Sequence, residues 1–433
     1  MGRRVQFLLA AAVVVAFLSA TGSAFASTVC KKGCSFTGVQ AAIGAASPGE
    51  TITIKAGNYF ENVTVNKSVT LQGAGGHTVI LPAVSKPVCA GGSLCPGASN
   101  IILVEANNVT VTNLKLEGDN PNLTSGVVVG GKDIDARNGI ITNHNSPSAP
   151  FTGLTVSKVT VADVYLRGIY ASTSGGTYDF NHDTVENVQG ENNSIAMFSF
   201  EGSGQMVSNK VSSANDAISA NWSKGTQFLN NVVTKSGSGV HTDNNGGAGG
   251  SADLIQGNKI SQCTTNGYGI FVFVPYVSAT VESNKVQGCS VGLATFGSAV
   301  KGQGPTFSNN KIDGSGAATT EPGTFGAYLT TDEVGFGFSD MTATLTHNSF
   351  MHFTTGVLVT QTKPTSGPAG GQATVTASQN TIHTNGTGAD GETGTIVNAK
   401  NNWWGCKQGP NNSPKCDTAV GTVGYTPWLT SKP

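Results

Sequence analysis

The feature that most constrains this chain is an internal repeat. A polar residue, usually Asn, stands two places before an apolar one at Asp183/Val185, Asn209/Val211, Asn230/Val232, Asn258/Ile260, Asn284/Val286, Asn310/Ile312, Asn348/Phe350, Asn380/Ile382 and Asn402/Trp404. Successive members are 26, 21, 28, 26, 26, 38, 32 and 22 residues apart. A second motif follows most of them: a small residue, then apolar residues in alternation, as at Gly168-Ile169, Ala217-Ile218, Gly239-Val240, Gly269-Ile270, Gly292-Leu293, Gly326-Ala327 and Gly356-Val357. Alternation of this kind marks short strands, and the Gly, Asn and Ser clusters between them mark turns. A repeat near 26 residues with several strands cannot bury its inner face alone, but stacked copies can, at one strand spacing per coil. The expected fold is therefore an all-β, single-stranded right-handed parallel β-helix. A β-propeller needs blades of ~40–45 residues, longer than this period. The repeated Asn is expected at a turn, in left-handed geometry, bonding its stacked copies.

The ends fit a solenoid with caps. Segment 36–46 is amphipathic in the helical sense and stops at Ser47-Pro48-Gly49, so an N-terminal cap is expected over about 30–50. Trp403, Trp404 and Trp428 can cover the last coil, giving a C-terminal cap over about 400–433. Ahead of these lies an export signal: Arg3 and Arg4, an uncharged apolar run over 7–18, and Ala24-Phe25-Ala26 as a cleavage site. The chain is thus expected to comprise a signal peptide, 1–26, and one β-helix domain, 27–433, with no membrane span after cleavage and a secreted, extracellular or periplasmic location. A monomer is expected.

Charged residues make up only 11% of the chain, against about 25% in ordinary domains. Only Arg137 and Arg167 remain after cleavage. Nucleic acid is therefore not the expected partner, since phosphate binding needs clustered basic residues. The eight cysteines fall into local pairs, Cys30/Cys34, Cys89/Cys95, Cys263/Cys289 and Cys406/Cys416. Their spacing is not that of a zinc site, and an even count in an exported chain suggests disulfides. Cys263 and Cys289 each lie five residues after a repeat Asn, so they should stack in adjacent coils, as a disulfide or as two thiols.

The opening 39–75, from VQAAIGAASPGE to VTLQGAG, resembles the start of pectin-lyase-like β-helix proteins, particularly pectin methylesterases and NosD-type periplasmic proteins. The Asn repeats resemble the general parallel β-helix repeat over about 155–405, and the closing NNWWG…PWL resembles the end of many β-helix proteins. The resemblance implies the fold and a polysaccharide or cell-surface glycan as partner. It does not carry over a reaction: the aspartate motifs of pectin methylesterases, the NTD and GHG motifs of polygalacturonases and the DPHD of alginate epimerases are all absent.

Candidate site residues follow from projecting the repeat. If the residue after the small one faces inward, the next faces out. One outward column is then Tyr170, Ala196, Ser219, His241, Phe271, Ala294, Tyr328 and Leu358; its neighbours are Ser172, Asn221, Asp243, Phe273, Phe296 and Thr330 on one side, and Arg167, Asn193, Asp216, Ser238 and Tyr268 on the other. Asp216, His241, Asp243 and Arg167 are the candidate acid/base or charge-stabilising groups, and Tyr170, Asn221, Phe271, Phe273 and Tyr328 the candidate sugar contacts. Two functions stay open: a polysaccharide lyase or glycoside hydrolase, and a non-catalytic adhesion protein in which loops 244–253 and 314–324 cover the face. No cofactor is expected. Asp133 and Asp135, with Arg137 and His144 nearby, form a DxD that could hold Ca2+ or pair internally.

Overall fold

The computed structural model describes residues 27–244, 250–335, 337–361 and 371–433. The expected signal peptide lies outside the described residues. From Thr28 onward the chain winds as a right-handed parallel β-helix whose coils build three long sheets of 15, 13 and 12 strands. In a typical coil the chain runs through Thr226–Leu229 in the first sheet, Val232–Thr234 in the third and Ser238–Asp243 in the second, then returns to Leu254–Gln256 beside its starting strand. The sheets are named here by these members: the Thr226, Val232 and Ser238 sheets.

Stacking puts like residues over like, and the core is built from these columns. Phe180, Met206, Phe228, Ile255, Val281 and Phe307 follow one another inside the Thr226 sheet. Val211, Val233, Ile260, Val286 and Ile312 do so in the Val232 sheet. All are within 2% of complete burial, and each full burial of such a side chain contributes about 1.5–3 kcal/mol. The small residue of the second motif has a steric cause. A Cβ at Gly269 would stand 2.4 Å from the Gly292 carbonyl oxygen and 2.5 Å from a Val286 methyl. Gly139, Gly168, Gly239, Gly326 and Gly356 make the same close approach to the carbonyl oxygen of the next coil.

The repeated Asn forms a buried ladder, with its left-handed residue displaced from the expected place. Asn209, Asn231, Asn258, Asn284, Asn310, Asn348, Asn380 and Asn402 stack, each amide Nδ2 donating to the next Oδ1 at 2.9–3.1 Å. Each backbone N–H up to Asn380 donates to the same oxygen. The residue before the ladder Asn takes positive φ instead, as at Ser208, Asn230, Ser283 and Asn309. Asn230 is therefore the turn residue of its coil and Asn231 the ladder member. The ladder Asn cannot itself turn the chain, because its side chain must point into the interior.

At the N-terminus the helix Val39–Ala45 covers the first coil with Val39, Ala42 and Ile43. Glu61 caps it from a neighbouring segment, its two carboxylate oxygens accepting from Val39 N and Gln40 N at 2.8 Å each. At the other end Trp404 is fully buried, with Tyr425 and Trp428 packed beside it.

All four cysteine pairs are disulfides: Cys30–Cys34, Cys89–Cys95, Cys263–Cys289 and Cys406–Cys416. The stacked Cys263 and Cys289 have Cα atoms 4.7 Å apart. Cys34 differs in kind from this inter-coil bridge. It is half-buried in the turn ahead of the helix, belongs to no strand, and is bonded to Cys30 with Cα atoms 5.6 Å apart. Its bridge closes a local loop over the first coil, where Cys30 N donates to Phe36 O at 3.0 Å. Cys34 thus fastens the N-terminal cap and takes no part in coil stacking.

Candidate saccharide site

The residue after each small position faces the core, as with Ile169, Ile218, Val240 and Ile270, so the following residue faces out. The outward column of the Ser238 sheet runs Tyr170, Phe198, Ser219, His241, Phe271, Ala294, Tyr328, Leu358. Phe198 stands where Ala196 was expected, and in the adjoining column Ile195 replaces Asn193. Ser194 and Ala196 both satisfy the small-residue motif, and the coil is registered on Ala196. A slip of two leaves the faces unchanged, so the remaining expected positions hold.

His241 is oriented by two neighbours. Its Nδ1 lies 3.5 Å from Asp216 Oδ2 and 3.2 Å from Ser219 Oγ. Its ring stacks on Phe271, centroids 4.0 Å apart at 20°. Ser238 Oγ donates to the other oxygen of Asp216. Ser219 Oγ donates to Asn221 Oδ1 at 2.8 Å, which fixes the orientation of the Asn221 amide at the cavity. Asp243 follows Asn221 in the next coil of that column.

These groups border an open cavity of about 650 Å3. Its polar side is Asn221, His241, Asp243 and Glu333; its apolar wall is Trp222, Tyr268, Phe271, Phe273, Phe296 and Val334. The rings pack on one another, Phe271 edge-on to Phe296 at 6.2 Å and Tyr268 edge-on to Phe271 at 5.7 Å. Tyr328 extends the cluster against Phe296 at 6.0 Å. The rim after Asp243 is anchored by Asp253, a fully buried carboxylate that accepts from Thr242 Oγ1, Asn244 Nδ2, Ser223 Oγ and Thr226 N. Residues 245–249 lie outside the described residues. Loop 314–324 instead bonds Asn266, as through Thr320 N at 2.8 Å, and lends no residue to the cavity.

Arg167 and Tyr170 are not in this cavity. Both lie under the segment closed by the Cys89–Cys95 disulfide. Arg167 is 7% exposed, and donates to Ser93 Oγ, Leu166 O and Asn193 O. Its guanidinium also lies over Phe198, 5.2 Å from the centroid, and burial pushes its pKa down to about 10. Tyr170 is 5% exposed and stacks on Phe198 at 4.6 Å. Bonded to Ser93 Oγ and to the Leu166 and Asn193 main-chain oxygens, Arg167 braces a loop, and Tyr170 offers no open ring face to a ligand. The DxD does not converge either. Asp133 accepts from Ser125 Oγ and Gly126 N, whereas Asp135 is fully buried and accepts from Asn120 N. Arg137 donates to the Pro87 and Gly92 carbonyl oxygens, and His144 lies against the Tyr170 ring. None of the cysteines lines the cavity, Cys30 and Cys34 of the N-terminal cap included.

Sequence reasoning left Trp222, Glu333, Phe296 and Tyr268 outside its set of candidate site residues. Tyr268 and Phe296 stood in the projected columns and could have been chosen for their rings. Trp222 follows Asn221 at a positive-φ turn, and Glu333 belongs to an inter-strand loop, so the repeat gives no signal for either.

Neither a family model nor a curated protein matches the sequence. Solved structures do. The catalytic domain of a GH87 α-1,3-glucanase in complex with nigerose aligns at TM-score 0.54 and 12% identity, over 90% of this chain and 67% of that one. The A-module of a mannuronan C-5 epimerase from Azotobacter vinelandii aligns at TM-score 0.49 and 18% identity, over 90% and 94%. The glucanase likeness shows the fold: the chain is a right-handed parallel β-helix.

Proposed function

We propose that the protein is exported and binds a polysaccharide chain in the cavity beside His241. The observation that carries this reading is the pairing of an aromatic wall with a polar rim on rigid strands. Pyranose rings have apolar faces that stack on aromatic rings and hydroxyls that need donors and acceptors at their edges, and Phe271 with Asn221, His241, Asp243 and Glu333 supplies both. Four disulfides support export. No helix among the described residues is long and apolar enough to cross a membrane. The fold is also compatible with saccharide ligands, since the glucanase of the same fold holds nigerose.

A catalytic reading rests on His241. With Nδ1 turned to Asp216, Nε2 is the ring nitrogen left to exchange a proton with a bound sugar, and Asp216 steadies the imidazolium that would result. The test is native affinity electrophoresis of the protein in gels containing neutral and acidic plant, algal and microbial polysaccharides. Absorbance at 235 nm and reducing-end release are followed in parallel, with and without Ca2+. Retardation by one polymer that is lost in Phe271→Ala supports binding. Product formation lost in His241→Gln but retained in Arg167→Lys adds catalysis. Retardation without product leaves an adhesion protein. No retardation by any polymer overturns the reading.

A further inference from the structure

A second surface lies on the Val232 sheet, away from the cavity. Lys259, Lys285 and Lys311 occupy the same outward position in three consecutive coils, in direct register. All three are exposed. Lys210 continues the column one interruption further back, with Val232 between. Among the described residues none of the four has a carboxylate within ion-pair distance. Asp313, two residues along the strand from Lys311, is taken by His352 at 2.8 Å.

Stacking like charges directly over one another is unfavourable in a sheet. This chain has few charges to place, yet three successive lysines share one column. A trough of about 510 Å3 runs alongside, lined by Ser261, Gln262, Gln287 and Ser315, among others. The trough is polar and lacks the rings of the cavity.

We propose that this column binds a carboxylated polysaccharide lying along the helix axis. The spacing decides among polyanions. Cys263 and Cys289, in the same two coils, have Cα atoms 4.7 Å apart, and the lysines repeat at that coil spacing. An extended polyuronate carries one carboxylate per sugar ring, and rotation between rings turns alternate carboxylates to opposite sides, so carboxylates on one side recur about every second coil and meet Lys259 and Lys311, with Lys285 between them. The neighbouring trough supplies hydroxyl and amide groups for the ring hydroxyls. Duplex DNA carries its charge far more densely, at about 1.7 Å of axis per phosphate on a helical path, and a short straight column engages few of them. The surface is distinct from the aromatic cavity, and its occupancy does not depend on what the cavity holds.

The experiment compares wild type with the triple variant Lys259→Gln, Lys285→Gln, Lys311→Gln and with Phe271→Ala. Each is run against immobilised polygalacturonate, polymannuronate, a neutral glucan and duplex DNA at ~50 and ~200 mM salt. The three side chains are exposed, so their replacement leaves the fold intact, which thermal unfolding checks. Expected is retention of wild type on at least one polyuronate at low salt, released at high salt, and weakened at least tenfold in the triple variant but not in Phe271→Ala. Three results would overturn the proposal: no salt-sensitive retention on either polyuronate, equal retention of the triple variant, or tighter retention on DNA. Loss in Phe271→Ala alone would assign polyuronate binding to the cavity and refute the column.

Discussion

Replacing Asp183 with Asn should stabilise the protein, and by an amount that grows with pH. Asp183 occupies the first place of the Asn ladder. Its N–H donates to Asn209 Oδ1 at 2.8 Å, and its Oδ1 accepts from Val159 N at 2.9 Å. Among the described residues its Oδ2 is buried without a hydrogen-bond partner. In the next coil the corresponding Asn209 Nδ2 donates to Phe180 O, and the register sets Val156 in the equivalent place for Asp183. A ladder site thus calls for a donor where Asp183 has an oxygen. Burial first, and the nearby Asp179 charge after it, push the carboxyl from 3.8 up to about 8. The folded protein therefore keeps a proton that the unfolded chain releases above pH ~4. Stability falls as pH rises from about 4 to about 8 and is level beyond. At ~1.4 kcal/mol per pH unit, the loss is on the order of 5 kcal/mol by pH 8.5. An amide in this place cannot ionise and can donate as Asn209 does. Guanidinium unfolding at pH 4 and pH 8.5 should give nearly equal midpoints for the two proteins at the lower pH. At the higher pH Asp183→Asn should be markedly more stable. A pH-independent difference, or a wild type that gains on the variant as pH rises, would refute the reasoning.

Other consequences are simpler to measure. Asn284→Ala removes an amide bonded to Asn258, Asn310 and the Ile255 carbonyl, leaves buried groups unpaired, and should cost about 3 kcal/mol by chemical denaturation. Opening the Cys263–Cys289 bridge with the double change to Ser should cost about 2–4 kcal/mol for a closed loop of this length, without altering the far-ultraviolet spectrum. Phe271→Ala removes the ring under His241 and one wall of the cavity, and should weaken saccharide binding at least ~10-fold with stability changed far less than by Asn284→Ala. Arg167→Ala should act on stability and leave saccharide affinity unchanged, since its guanidinium is buried away from the cavity and bonds Ser93, Leu166 and Asn193.

Much of the fold was legible because a solenoid repeats its physics. The Asn before an apolar residue and the small residue before a strand recur from coil to coil, and the matched positions of Cys263 and Cys289 fix the register of two of them. Local ambiguity was harder to read. Asn230 and Asn231 are adjacent, and only the inward direction of the ladder separates them. Ser194 and Ala196 compete as the small residue, and only the close passage over the next coil separates those. Of the site, His241, Asp216, Asn221, Asp243, Phe271 and Phe273 were legible from strand alternation. Arg167 and Tyr170 project from the same columns, yet a loop closed by Cys89 and Cys95 folds over them. Loops follow no period, so neither their cover nor the contribution of Glu333 could be projected.

The central claim is that the aromatic cavity holds a sugar chain. Trp222 borders that cavity and is 43% exposed, whereas Trp403, Trp404 and Trp428 belong to the C-terminal end. The most direct measurement is fluorescence titration of wild type, Trp222→Phe and Phe271→Ala with hexasaccharides of β-1,4-glucan, α-1,3-glucan, polygalacturonate and polymannuronate. The expected result is a saturable change with at least one of them, absent in Trp222→Phe and shifted at least tenfold in Phe271→Ala. No saturable change with any, or one that survives both substitutions, would contradict it.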